Sequence, residues 1–196
     1  PTIRAGVDSA AVGDTVEVAC GPYYEHTIVL KDGVVLRSET GQPKCVTIDA
    51  QGPCWVLAAS LVGNTTVLEG FTVTGGFRAG EGAGMLCNTA SPRIERCVFT
   101  GNTAVSSDRV EGCGGGMMIR EGSFPALIEC EFLENSAVMG GGVSCLSGYY
   151  PTLTGCLFQG NTAVDLSGGL HCAGAAPVLT SCVFTQNSSS NSVGGM

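Results

Sequence analysis

The chain has 196 residues, a formal net charge of −8, 30 glycines, 11 cysteines and only 13% charged residues. Its nine Lys and Arg residues are scattered, which argues against nucleic acid as a partner, and the chain is too apolar to be disordered. No run approaches the roughly 18 apolar residues that a membrane span needs, so we expect no membrane insertion.

The first predicted element is a short amphipathic helix over residues 2–11. Ile3, Val7 and Ala10 recur at helical spacing, and Gly13 and Asp14 end the pattern. A stack of parallel strands exposes an unpaired edge at each end. We therefore expect this helix to cap the first coil of whatever follows.

Residues 14–196 carry an internal repeat of about 26 residues, in about seven coils. Earlier coils are degenerate: LEGFTVTGG aligns with IERCVFTGN, VTIDAQG looks like one coil before it, and TVEVACGPYYE and TIVLKDGVVLRS like others. In the second half, four columns repeat with spacings of 33, 26 and 26 residues, the longest containing a seven-residue insertion within 105–114. These columns are Cys97, Cys130, Cys156 and Cys182; Phe99, Phe132, Phe158 and Phe184; Asn102, Asn135, Asn161 and Asn187; and Pro92, Pro125, Pro151 and Pro177.

Each repeat predicts a coil of short parallel strands. Its apolar segments alternate over three to five residues, which is too short for helices, and no Asn-Gly hairpin signal separates them. The sequence therefore predicts an all-β, single-stranded right-handed parallel β-helix that forms one domain over residues 1–196. The repeat breaks off at its C-terminal end, which predicts an open coil and a longer native chain. One inward column is expected to be Leu68, Ile94, Leu127, Leu153 and Leu179.

These repeats resemble right-handed β-helix proteins of the pectin-lyase-like superfamily, in particular the repeats of bacterial polymorphic outer-membrane proteins. The marks of those repeats are Phe-x-x-Asn, which occurs here as FTGN, FLEN, FQGN and FTQN, and a Gly-Gly-x-apolar motif, which occurs as GGGM, GGGV, GGL and GGM. The resemblance covers essentially the whole chain and implies the fold. It leaves the activity open, because the superfamily includes polysaccharide lyases, hydrolases, epimerases, adhesins and inert stalks.

The asparagine column is interpreted as a ladder of amides at one corner of each coil, because Asn tolerates turn geometry. The alternative is a polar ligand-binding stripe on the outer surface.

The cysteines are interpreted as buried thiols. Ile119 replaces Cys in one coil of the Cys87, Cys145 and Cys172 column, which indicates a dry interior. Side chains in register point the same way and oppose disulfide torsions. Cys113, in the insertion, is predicted to be the most reactive thiol. The alternative is pairing within a coil, as Cys87/Cys97, Cys145/Cys156 and Cys172/Cys182. No zinc-like Cys or His spacing is present, so no metal or cofactor is expected.

One acidic face offers the only argument for catalysis. Glu69 and Glu95 are predicted to share an outward column on successive coils, with Arg96 beside them and Glu129 and Glu131 one coil further on. Adjacent carboxylates are able to bind calcium or to act as acid and base. A solvated mixed-charge face is the competing interpretation, since later coils lose these charges, and no catalytic residue is assigned.

The two histidines suggest no shared site. His26 and His171 lie far apart in coil order, and His171, between two inward residues, is predicted to face solvent.

The sequence favours a non-catalytic scaffold outside the cell or on a bacterial surface, such as an adhesin passenger, stalk or filament component. Its expected partners are a carbohydrate or a host-surface ligand. One alternative is a protein that binds or cleaves polysaccharides through the Glu69, Glu95 and Glu129 face. Another is a rod that self-assembles through end-to-end stacking of its coils.

Overall fold

The computed structural model describes residues 2–106, 112–146, 150–192 and 194–195. Within these ranges it contains one helix, α1 (Ile3–Ser9), and no helix long and apolar enough to cross a membrane. The strands are, in chain order, β1 (Thr15–Val18), β2 (Gly21–Tyr23), β3 (Ile28–Leu30), β4 (Val35–Ser38), β5 (Val46–Gly52), β6 (Leu57–Ser60), β7 (Val67–Glu69), β8 (Phe71–Ala79), β9 (Met85–Asn88), β10 (Arg93–Glu95), β11 (Val98–Thr100), β12 (Thr103–Val105), β13 (Met117–Arg120), β14 (Ala126–Ile128), β15 (Glu131–Leu133), β16 (Ser136–Met139), β17 (Val143–Cys145), β18 (Thr152–Thr154), β19 (Leu157–Gln159), β20 (Thr162–Leu166), β21 (Leu170–Cys172), β22 (Val178–Thr180), β23 (Val183–Thr185) and β24 (Ser188–Ser189).

The strands stack into a parallel β-solenoid, which confirms the predicted fold class. Face A is the seven-stranded sheet that runs from β1 to β22, and face C is the six-stranded sheet from β3 to β21. Between them, face B (β2, β5, β8, β11, β15, β19, β23) joins face D (β8, β12, β16, β20, β24) through the long strand β8, which pairs with β11 and then with β12. The chain makes about six full turns. The segment TIVLKDGVVLRS, predicted as one coil, spans β3 and β4 and so belongs to two successive turns.

The predicted capping helix is present at the start of the stack. Thr2 is its N-cap, and the Oγ1 of Thr2 accepts a hydrogen bond from the backbone N–H of Ala5 at 3.1 Å. Ile3 and Val7 are buried in the hydrophobic core, and α1 packs on β1 and β3. The Glu25 carboxylate accepts a further hydrogen bond from the N–H of Ile3 at 2.7 Å. The helix thus covers the apolar interior that the first turn would otherwise expose.

Like residues stack above like residues in the interior. The register pairs Leu68 with Ile94, Ile94 with Leu127 and Leu127 with Leu153, so the predicted inward column is confirmed. A second column stacks aromatic rings, with centroids 5.2, 4.9 and 4.6 Å apart along the series Phe99, Phe132, Phe158 and Phe184. The core is therefore a set of ladders that run along the axis of the solenoid.

The asparagine column is the predicted ladder of amides. The Nδ2 of Asn161 donates to the Oδ1 of Asn187 at 2.9 Å and to the backbone carbonyl of Phe132 at 2.8 Å. Asn161 is completely buried, so these bonds satisfy an amide that water cannot reach. The ladder joins one turn to the next at the corner between faces B and D.

The Gly-Gly motif has a steric cause. A Cβ placed on Gly116 would lie 2.6 Å from the backbone oxygen of Gly142, and one on Gly142 would lie 2.6 Å from that of Gly169. Successive turns therefore approach so closely before face C that only glycine fits there.

Most cysteines follow the preferred prediction of buried thiols, but Cys54, Cys172 and Cys182 are only partly buried and one pair is a disulfide. Cys87, Cys97, Cys130 and Cys145 are buried thiols, and the pairs predicted within coils do not form. The disulfide joins Cys20 and Cys45 in the first two turns and was not predicted. These residues precede the paired Gly21 and Val46, so the expectation that stacked neighbours do not form disulfides is wrong here. Cys113 was predicted to be the most reactive thiol, which requires an accessible side chain. The residue is only 3% exposed, so this prediction is wrong. Residues 107–111 of the predicted insertion lie outside the described ranges.

Candidate functional site

The predicted acidic column exists on face A. The register places Glu17 opposite Arg37, Arg37 opposite Glu69, and Glu69 opposite Glu95. On its other side Glu95 faces Ile128 of β14, so the charged column stops there. Outward residues of adjacent parallel strands lie about 4.8 Å apart, which brings these charges into direct contact.

Arginines neutralise this column. Arg96 forms an ion pair with Glu69 and approaches the Glu95 carboxylate at 3.6 Å, while Arg93 pairs with the other oxygen of Glu95. Arg37 pairs with Glu17 at 2.6 Å. The hydrogen bond with Glu69 raises the pKa of Arg96, which therefore stays charged. The interpretation that fits this geometry is the mixed-charge face.

The other two predicted acidic residues are placed differently. Glu129 follows β14 at the corner after face A, where its backbone has a φ of 52° and lies next to that of Arg96 (φ 46°). Glu131 lies in β15, opposite Val98 on face B. The structure therefore does not bring Glu131 to the face that carries Glu69 and Glu95.

A second polar cluster, which the sequence did not predict, lies outside face C. We call it the Trp55 cleft. It has a volume of about 210 Å³ and is lined by Arg78, Ala79, Gly80, Glu81, Leu86 and Arg120. The Arg78 guanidinium carbon lies 3.7 Å from the centroid of the Trp55 ring, in cation–π geometry. Opposite it, Arg120 forms an ion pair with Glu81.

Three strands supply this cleft. Arg78 lies near the end of β8, where the chain leaves face D, and Glu81 follows in the connection to face C. Leu86 is an outward residue of β9, and Arg120 is the last residue of β13, opposite Asn88. Outward positions of face C therefore form the floor, and the connection from face D forms one wall.

Several polar atoms of the cleft residues and of the residues next to them are buried without a hydrogen-bond partner in the described part of the chain. They are the Nε1 of Trp55, the Nε of Arg78, the Nε of Arg120 and the Oδ1 of Asn88. Burial lowers the pKa of Arg78, an effect that nearby Glu81 opposes and Arg120 reinforces. Buried N–H groups without acceptors cost free energy, so this cluster is not explained as a device for stability.

Comparison with known proteins agrees with this architecture. The family model of the right-handed β-helix region matches residues 47–195, which is most of the chain. The chain belongs to the right-handed β-helix family. Among solved structures it is similar to that of a putative glycosyl hydrolase from Parabacteroides merdae ATCC 43184, with 14% identity and a TM-score of 0.49 over 93% of this chain and 88% of that chain. At these values the neighbour bears on neither the activity nor the substrate of the β-helix described here. No curated protein matches the sequence.

The histidines of this β-helix protein lie in separate places, as predicted. His26 lies between β2 and β3 in the first turn, where its backbone carbonyl accepts a hydrogen bond from Arg4 of α1. His171 lies in β21 opposite Ser144. The prediction that His171 faces solvent is wrong in degree, because the residue is half-buried and burial lowers its pKa.

One group of potential metal ligands occurs in the described residues, formed by Cys20, Glu39 and Cys45. The two sulfurs of this group are joined to each other in the disulfide, so they are not thiolate ligands in this state.

Proposed function

We propose that this β-helix is a non-catalytic scaffold outside the cell or on a bacterial surface, where it serves as an adhesin passenger, stalk or filament component. The observation that carries the proposal is the pairing of Glu69 and Glu95 with Arg96 and Arg93. Glycoside cleavage needs one protonated and one ionised carboxyl group on either side of the scissile bond. Here both carboxylates are engaged in ion pairs within the face itself.

The remaining conspicuous residues support the same proposal. The Phe, Asn, Cys and Gly columns all hold one turn against the next, and most of their side chains are buried in the solenoid. A stack of turns that contact only their neighbours makes a stiff rod whose outer face tolerates change.

The disulfide between Cys20 and Cys45 supports a location outside the cytosol. Disulfides form and persist in oxidising compartments and are rare in reducing ones.

A depolymerisation assay tests the absence of catalysis. The protein is incubated with neutral and acidic polysaccharides in the presence of calcium, and new reducing ends and unsaturated products are measured. We expect equal, background values for the wild type, Glu95→Gln and the matched control Glu17→Gln. Cleavage by the wild type and by Glu17→Gln that Glu95→Gln lacks would overturn the proposal.

Antibody labelling of intact source cells tests the location. We expect the protein on the cell surface or in the medium, and its confinement to the cytosolic fraction would refute this part of the proposal.

A further inference from the structure

The Trp55 cleft contains a cation that no carboxylate of the described residues neutralises directly. Arg78 donates no hydrogen bond and forms no ion pair within the described residues, and the one carboxylate of the cleft, Glu81, is paired with Arg120. The ring of Trp55 holds the Arg78 guanidinium in place. A cation that is held in this way before a ligand arrives loses little conformational freedom on binding.

The charge of the cleft selects the charge of its ligand. Two guanidinium groups and one carboxylate line it, which leaves a net charge of +1. Glu121 approaches the Nε of Arg120 at 3.9 Å, but its side chain is 59% exposed and it does not line the cleft. A ligand with one negative charge neutralises this lining. A second negative charge on the ligand would be repelled by the Glu81 carboxylate, and the lining has no further cation to offset that repulsion.

The donors of the cleft match an oxyanion. Guanidinium groups present planar N–H pairs that fit carboxylate and sulfate oxygens. In addition, the N–H groups at the Nε of Arg78 and Arg120 and at the Nε1 of Trp55 have no acceptor among the described residues. These Nε and Nε1 atoms are buried, so an oxyanion in the cleft would contact the terminal guanidinium nitrogens of the two arginines.

The size and the lining limit what the anion is attached to. About 210 Å³ is smaller than a site for a drug-sized ligand, so the cleft accommodates one charged group and a few carbon atoms. Leu86 and Ala79 supply the apolar surface against which those atoms would pack.

We propose that the Trp55 cleft binds a single monoanionic oxyanion group, a carboxylate or a sulfate ester, with Arg78 as its primary contact. This site goes beyond the scaffold proposal and does not depend on it, because binding requires no catalysis and no particular location.

The test uses Trp55 as its own reporter, since it is the single tryptophan of the chain. The indole N–H resonance of Trp55 is followed by NMR during titration of the whole protein at constant ionic strength and at pH 8, where inorganic phosphate is mainly a dianion. The probes are sodium acetate, sodium glucuronate, sodium methyl sulfate, inorganic phosphate and, as the neutral control, glucose. We expect a saturable shift with at least one of the three monoanions and none with glucose.

The three monoanions distinguish the sources of the group. If glucuronate binds more tightly than acetate, the ligand of the cleft is a carboxylate carried by a sugar. If the two bind equally, the ligand is a small free carboxylate. Methyl sulfate as the tightest probe assigns a sulfate ester. Tightest binding of phosphate, an equal response to glucose or no saturable response to any monoanion would overturn the proposal.

Variants locate the site. Arg78→Gln is expected to weaken monoanion binding about tenfold or more, because it removes a charged hydrogen-bond donor. Arg37→Gln, which removes an exposed arginine from face A, is the matched control and should bind as the wild type does. An unchanged affinity in Arg78→Gln would refute the assignment.

Glu81→Gln keeps both arginines, so this test does not depend on whether the protein still folds when Arg78 is replaced. It raises the charge of the lining from +1 to +2, so the affinity for phosphate should increase relative to that for glucuronate. An unchanged preference would count against electrostatic selection in the cleft.

Discussion

Asn102 donates two hydrogen bonds to the Oδ1 of Asn135 in the next turn, from its backbone N–H at 3.0 Å and from its Nδ2 at 3.1 Å. The Nδ2 of Asn135 in turn donates to the backbone carbonyl of Phe99 at 2.9 Å. One amide thus satisfies backbone groups of its neighbours as well as a neighbouring side chain. Each turn is bonded to the next through a buried polar ladder as well as through the strands.

Asn135→Ala is expected to lower the free energy of unfolding by roughly 2–5 kcal/mol, because it leaves buried groups of Asn102 and Phe99 without partners. Asn187→Ala is the matched control. It lies in the same column but is partly exposed, so water replaces the lost bonds and a loss of about 1 kcal/mol is expected. Denaturant unfolding followed by circular dichroism measures both values. Equal losses would show that burial of the ladder does not determine its contribution.

Gly142→Ala is expected to destabilise the protein by roughly 1–3 kcal/mol or more, because the added Cβ would meet the backbone oxygen of Gly169. The matched control is Gly52→Ala in β5, where the nearest atom to an added Cβ is 3.8 Å away. That substitution should be neutral or slightly stabilising, since alanine restricts the unfolded chain. Thermal unfolding of both variants provides the measurement, and a neutral Gly142→Ala would contradict the steric explanation of the motif.

Thiol labelling is expected to follow burial. Burial raises the pKa of Cys87 and of Cys97 to about 12, so both remain protonated and shielded at pH 8. Cys54 and Cys172 are partly exposed, and the hydrogen bond with Cys145 lowers the pKa of Cys172. These two thiols should be alkylated first by iodoacetamide in the native protein, while the buried Cys113 should react slowly. Peptide mass spectrometry after brief labelling measures the order, and unfolded protein serves as the control. Labelling of Cys87 as fast as that of Cys54 would contradict the buried columns.

Stability should decrease in mildly acidic solution because of His171. Burial lowers its pKa below 6.5, so the unfolded chain takes up this proton at a higher pH than the folded protein does. The contribution is fully present above pH 6.5 and is lost as the pH falls from 6.5 through the lower pKa of the folded state. His171→Asn removes this dependence, so the stability of the wild type relative to the variant should decrease from pH 7 to pH 5. A difference that does not change with pH, measured by denaturant unfolding, would refute the assignment.

The columns show why so much of the fold was predictable. Ile119 stands at the position of Cys87 and Cys145, and the register places it opposite both. When one residue type recurs at the same position of every turn, all its copies lie in the same environment, because the turns stack in register. The sequence predicted these neighbours without any coordinates.

The unpredicted features lie where the repeat is irregular. Cys20 and Cys45 belong to the first two turns, whose lengths differ from the later period, so their adjacency had no column to reveal it. On face A, the sequence placed Glu69 beside Glu95 correctly. It also placed Arg96 beside them, but it did not show which carboxylates Arg93 and Arg96 pair with, because the direction of a long side chain does not follow from spacing.

The sequence by itself determined the parallel β-solenoid, its capping helix and its ladders, because periodicity converts directly into stacking. Only the tertiary structure assembled the Trp55 cleft from Trp55, Arg78, Glu81 and Arg120. Each of these residues occupies a position where the same residue type does not recur in the other turns. No column of the repeat therefore connects them. Their proximity results from how far each side chain reaches across the outside of face C and from which partner it meets there.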